Sequence, residues 1–147
     1  KQAKESSNFD KLVTVQLQKS YQRGQTLYEG RAACFGCHGK AGEGIENMGP
    51  PLVASEWVLD KPERLVKVLL HGLVGPISVN DIKYQTNMVM PGSFTNKSIS
   101  DQDLADIATY IRNNWGNAEL PVEAKQVSII RAETQNRNKP YREQDFK

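Results

Sequence analysis

The chain has two cysteines among 147 residues, Cys34 and Cys37, and they sit three apart. No framework disulfide can therefore be built, and no spare thiol remains. Aromatic residues are sparse at 7%, and the hydrophobic content of 38% is lean for a core of this size. A bound apolar cofactor and some polar tail would account for both. No apolar run approaches the 18 residues a membrane-spanning helix needs. The first residues, Lys1-Gln2-Ala3-Lys4, show no apolar leader segment. The formal net charge of +2 is small and gives no case for nucleic acid or strong membrane-surface attraction. There is no internal repeat and little strand pattern beyond 12–15 and 77–79. The glycine-rich stretch Gly39–Gly44 lacks the order of a phosphate-binding loop and follows no strand.

What is present is Cys34-Phe35-Gly36-Cys37-His38, a C-x-x-C-H pattern. It is the attachment pattern of c-type haem. Two thiols so spaced can add across the two vinyl groups on one porphyrin edge, and the adjacent histidine then falls beneath the ring. Other readings fit less well. A thioredoxin-like pair expects a βαβ context, which is missing. Two Cys and two His match tetrahedral zinc in number, but adjacent Cys37 and His38 are not a normal ligand spacing. A disulfide here would close a short, strained ring.

Length predicts one domain. Residues 1–11 read as an irregular polar arm. A helix is expected from Val13 to Glu29, with Leu17, Tyr21, Gly24 and Tyr28 on one face. Gly49-Pro50-Pro51-Leu52 is held extended by its prolines and keeps its carbonyls. A ligating histidine needs an acceptor for its second ring nitrogen, which a proline carbonyl can supply; an ordinary turn is the alternative. Asp60-Lys61-Pro62-Glu63 opens a helix with capping-box spacing, which Gly72 ends. Residues 73–97 read as a long loop, a length that is usually functional or disordered. Ser100 and Asp103 cap another helix, Ile99 and Leu104 staple it, and Gly116 stops the run. A short helix is expected within Pro121–Arg131, then a wrapped or disordered polar tail.

An electron-transfer haem commonly takes Met or His as its second axial ligand. Met48 lies ten residues past His38 and stays on its side. His71, at a helix end, reads as a helix-end or surface residue. Met88 and Met90 lie in the long loop, two apart, and extended chain points both the same way. Pro91 stiffens the chain after Met90, which favours Met90. Core packing of either without ligation is the plain alternative.

The ordered set of Gly24 and Tyr28, Cys34-x-x-Cys37-His38, Gly49-Pro50-x-Leu52, Met90-Pro91 and Leu104–Arg112 resembles class I cytochrome c over residues 16–116. The resemblance implies an all-α fold of three to five helices and long loops around one haem c, held through Cys34 and Cys37. It implies His38 and Met90 as axial ligands, the Pro50 carbonyl as acceptor of the His38 N–H, and Gly24 and Tyr28 meeting Ile107 and Tyr110 where the first and last helices cross. Leu52, Trp57, Arg64 and Tyr84 would contact the haem or its propionates. Residues 1–15 and 117–147 lie outside the pattern, as an arm and an extension. Leu69–Ile77 and Arg112–Asn117 are similar to haem domains that accompany bacterial dehydrogenases, often fused to them.

The expected function is one-electron shuttling between redox proteins outside the cytoplasm, in the periplasm or on a membrane tether, without catalysis. A fixed wiring domain of a larger dehydrogenase, reductase or respiratory complex is the alternative. An enzyme or gas-binding haem would require an open sixth position.

Overall fold

From Gln2 to Arg23 no glycine or proline interrupts the chain. The computed structural model, which describes residues 2–147 and their side chains from residue 13 on, carries one helix, α1, through all of Gln2–Glu29. The irregular arm expected over residues 1–11 is therefore helical from Gln2 on, and the little strand pattern at 12–15 is overridden by the same helix. Polarity alone suggests irregular chain, but a segment without breakers propagates a helix begun elsewhere at little cost.

The chain continues through the one-turn helices α2 (Phe35–His38) and α3 (Glu56–Leu59), then α4 (Pro62–His71). Next come the short strands β1 (Gly72–Leu73), β2 (Ile77–Val79), β3 (Ile82–Tyr84) and β4 (Met90–Pro91). Helices α5 (Asp101–Ile111) and α6 (Ala124–Glu133) follow, and a 3-10 turn, Glu143–Phe146, closes the chain. The all-α expectation holds, with four helices of ten or more residues among the described ones.

Helices α1 and α5 cross at Gly24. A Cβ there would lie 2.1 Å from the Asp106 carbonyl oxygen, so only glycine lets the backbones meet. Beside the crossing, the buried Asp106 carboxylate accepts bonds from Ser20, Arg23 and Gln102. Tyr28 and Tyr110, both fully buried, pack with ring centroids 5.3 Å apart.

The Ser100–Asp103 capping box forms at α5, with Ile99 and Leu104 buried around it. The helix ends at Ile111, before Gly116, and Arg112 turns inward to donate to the Val58, Asp60 and Leu120 carbonyls. The box expected between Asp60 and Glu63 does not form. Lys61 is the N-cap of α4, and the Asp60 carboxylate lies 3.5 Å from Arg64. Pro62 does open the helix and Gly72 ends it at φ +86°.

The 73–97 segment is better ordered than a loop. β2 and β3 form a hairpin turned by Asn80-Asp81, both at positive φ, which suits the right-handed strand twist. β1 pairs with β4 in antiparallel register, Gly72 opposite Pro91 and Leu73 opposite Met90. α6 packs against α4 and α5, and the tail beyond it wraps back onto β1 and Trp57.

Candidate haem site

A single helical turn organises the cysteine motif. The His38 amide donates to the Cys34 carbonyl at 3.1 Å, and Gly39 to Phe35 at 2.9 Å. Positions i, i+3 and i+4 of a turn share one face, so Cys34, Cys37 and His38 all line the same cleft while Phe35 stays exposed. Cys34 and Cys37 form no disulfide, and burial pushes the Cys34 thiol up to about 11.

The imidazole is held from behind. His38 Nδ1 stands 2.8 Å from the Pro50 carbonyl oxygen. As the donor in that bond, Nδ1 carries the proton, and Nε2 is the nitrogen with a free lone pair. Burial lowers the His38 pKa, with the Pro50 bond opposing in part, so the ring is neutral and competent as a ligand. The close fit needs Gly49, where a Cβ would meet the Cys37 carbonyl oxygen at 2.7 Å and the His38 ring at 3.1 Å. Tyr28 anchors the loop after the motif by donating its hydroxyl to the Gly39 carbonyl at 2.6 Å.

The β4 strand and the residues just before it supply the methionine candidates on the 70–92 side of the cleft. Gly72 and Gly92 let it press on the end of α4. Added Cβ atoms would stand 2.4 Å from the Met90 carbonyl oxygen and 2.3 Å from that of Leu70. Met88 and Met90 both line the cleft, but they differ in burial. Met88 is 45% exposed, whereas Met90 is half-buried and packs against both apolar clusters of the core. Met48 lines the cleft from the loop that also carries Pro50. His71 is buried away from the lining, stacked on Phe94 and bonded to Thr134.

Of the remaining expected contacts, Pro50, Leu52, Trp57 and Tyr84 line the cleft. The Trp57 indole N–H is already given to the Ser78 carbonyl at 2.9 Å, so Trp57 meets the cleft through its ring. Arg64 lies outside the lining. Its guanidinium lies over the Trp57 ring, 4.2 Å from the centroid. It follows Trp57 by seven residues, but on a different helix, so sequence spacing did not place it. Arg31 and Lys83 are the lining cations among the described residues. No motif carries them, and their positions follow from the end of α1 and from the hairpin. Val68, Ile77, Ile107 and Ile111 complete an apolar wall.

The cleft measures about 760 Å³, within the roughly 300–1,000 Å³ of cofactor sites. It joins the two thiols of the C-x-x-C motif, a neutral imidazole and a half-buried thioether across an apolar interior. This donor set fits a covalently attached haem and leaves the cleft open along the Ile45–Met48 and Thr86–Val89 rim. The Thr86 hydroxyl donates to the Asn47 carbonyl and ties the two sides of that rim together.

The family model described as cytochrome c matches residues 21–115. Cytochrome c-552 of Thermus thermophilus is 37% identical over 110 residues, which are 69% of this chain and 80% of that protein. The cytochrome c subunit of the quinone alcohol dehydrogenase of Gluconacetobacter polyoxogenes is 39% identical over 101 residues, 67% of this chain and 20% of that protein. The corresponding protein of Gluconobacter oxydans is 34% identical over 100 residues, again 67% of this chain and 20% of that protein.

Proposed function

We propose a function from one premise: this chain belongs to the cytochrome c family. It binds one haem c through Cys34 and Cys37 and transfers electrons. The finer reading is a carrier in which His38 and Met90 would hold the iron. The observation that carries it is the pairing of a neutral His38, fixed through Pro50, with Met90, the half-buried methionine.

The bound haem supplies a one-electron Fe(II)/Fe(III) couple. The chain sets how that couple behaves. Cys34 and Cys37 anchor it and do no redox chemistry themselves. Pro50 fixes the imidazole orientation, and the β1–β4 pair holds the thioether segment, so the ligands need little rearrangement when the charge changes. The apolar wall around Val68, Ile77 and Ile107 excludes water and disfavours the extra positive charge of the oxidised state, which raises the potential. With His38 and Met90 both given to the iron, the site would keep no position for a substrate, so the reading is of a carrier and not a catalyst.

The partners in this reading are redox proteins that approach the exposed rim around Phe35, Met88 and Val89. Thioether attachment of haem belongs outside the cytoplasm, which puts the chain in the periplasm or on an equivalent surface. No helix among the described residues is long and apolar enough to cross a membrane.

Spectroscopy tests the reading. The purified protein should hold its haem through a denaturing gel, cycle reversibly between two oxidation states, and ignore carbon monoxide at neutral pH. Rapid carbon monoxide binding to the reduced native protein would overturn it. A second reading, a wiring component of a larger dehydrogenase, is favoured by the similarity to cytochrome c subunits of quinone alcohol dehydrogenases. Electron exchange by the free chain that is second order and sensitive to salt supports the carrier. A free chain that is inert until bound in a stoichiometric complex supports the wiring component.

A further inference from the structure

Residues beyond the family match do not hang free of the haem domain. They meet the Met90 segment and its neighbours at every level. At the end of α6 the Thr134 hydroxyl donates to the Ile130 carbonyl at 2.8 Å. Its one proton is thereby used, so it accepts from His71 Nε2–H at 2.7 Å. His71 immediately precedes β1. Arg131 donates to the Phe94 carbonyl at 2.8 Å, just beyond β4, and its Nε reaches Asp101 at 2.8 Å.

The tail then adds a one-residue parallel bridge to β1. Tyr141 lies parallel to Leu73, donating its amide to Gly72 at 3.0 Å and accepting from Val74 at 2.9 Å. β1 is thus held between the Met90 strand on one edge and the tail on the other. Further on, Glu143 accepts from the Ser78 amide at 2.9 Å, and the Phe146 ring meets the Trp57 ring edge-on at 5.8 Å.

A two-residue β pair is too short to hold itself. Two short strands gain persistence only when a further strand or a helix packs on them. Here α4 supports the pair from one side, through Gly92 and the Ser93 and Phe94 amides, and residues 117–147 add the backbone bridge at Tyr141 and α6 through His71 and Phe94.

We propose that the C-terminal extension is a positioning element for the methionine strand. It fixes β1 from behind, and so keeps the β4 thioether in the cleft during electron transfer. Thr134, Tyr141 and Phe146 are positioning residues that stand behind the cleft wall and are not part of its lining. This rests on the reading of Met90 as the axial ligand.

The test follows two signals in the haem-loaded protein as temperature rises: the weak long-wavelength sulfur-to-iron band and the helical circular dichroism. In the full chain both should vanish together. In a chain ending at Pro140, the band should be lost at clearly lower temperature than the helices, with the haem still attached. Thr134→Val and Phe146→Ala should open the same gap to a smaller degree, and they decide the matter if the shortened chain does not fold. Amide exchange across residues 72–74 and 90–94 should speed by about tenfold, while α5 stays protected. Coincident loss of both signals in all three variants, with unchanged exchange, would overturn the proposal. The two readings fail separately. If Met88→Ala and not Met90→Ala abolishes the band, the ligand assignment falls, and the exchange rates still decide whether the extension holds the strand.

Discussion

The Nδ1 atom of His38 lies 2.8 Å from the carbonyl oxygen of Pro50, and that bond selects which nitrogen the imidazole shows to the cleft. The proline ring fixes the carbonyl's direction through its restricted φ, and Gly49 lets the backbone come close enough. The sequence places both residues in plain view, yet only folding brings positions twelve apart into contact.

Loosening that carbonyl changes the redox behaviour without releasing the cofactor. An N–H donated to a carbonyl makes the imidazole a stronger electron donor, which favours the oxidised state. Pro50→Ala should therefore raise the midpoint potential in voltammetry, while the covalent haem stain stays unchanged. A lowered potential would contradict the role given to the bond.

Met90 and Met88 are separated by burial, so their substitutions should separate too. Met90→Ala is expected to abolish the sulfur-to-iron band and to open the reduced protein to carbon monoxide. Met88→Ala, at a position 45% exposed, should leave both readouts as they were. Absorption spectra of the two variants at neutral pH make the comparison.

The helix crossing has no room for a methyl group. With a Cβ only 2.1 Å from the Asp106 carbonyl oxygen, Gly24→Ala must push α1 away from α5. Overpacking of this kind costs about 1–3 kcal/mol, and backbone on backbone belongs at the upper end. Guanidinium unfolding should show a lower midpoint with an unchanged slope. A variant as stable as the parent would mean the helices do not cross there.

His71 makes stability sensitive to acid. Burial, and then the nearby Arg137 and Arg131 charges, lower its pKa below the usual histidine value of about 6.5. The unfolded chain thus binds a proton at a pH where the folded chain does not. Above about pH 6.5 neither form is charged and His71 contributes no pH dependence. As pH falls below that value the unfolded state is favoured, until the folded pKa is reached. In denaturant titrations run from pH 8 down to pH 5, His71→Gln should flatten part of this acid loss. An identical slope in both proteins would exclude His71 as its source.

Much of the fold was legible because it rests on local chemistry. The Ser100–Asp103 box, the Ile99–Leu104 staple, Pro62 at a helix start and Gly72 at its end are all decided within one turn of chain. The misses have a common origin. Asp60 has the spacing to cap α4 but sits where α3 ends, so its carboxylate faces Arg64 instead. The polarity of residues 1–11 suggests irregular chain, although from Gln2 on nothing in them stops a helix that α5 stabilises further along.

By itself the sequence determined the cofactor chemistry, since two thiols and a histidine at i, i+3 and i+4 share a face of any helical turn. It also determined the helix crossing, because Gly24 is the one residue on its face with no side chain. Tertiary structure decided the rest. It separated Met90 from Met88 by burial, which a period of two cannot do. It also brought Thr134 to His71 and Tyr141 to Leu73, contacts between positions more than sixty residues apart that no local spacing encodes. Local rules act through neighbouring backbone groups. The methionine side of the cleft is set instead by which distant surfaces pack, and that is settled only when the whole chain has folded.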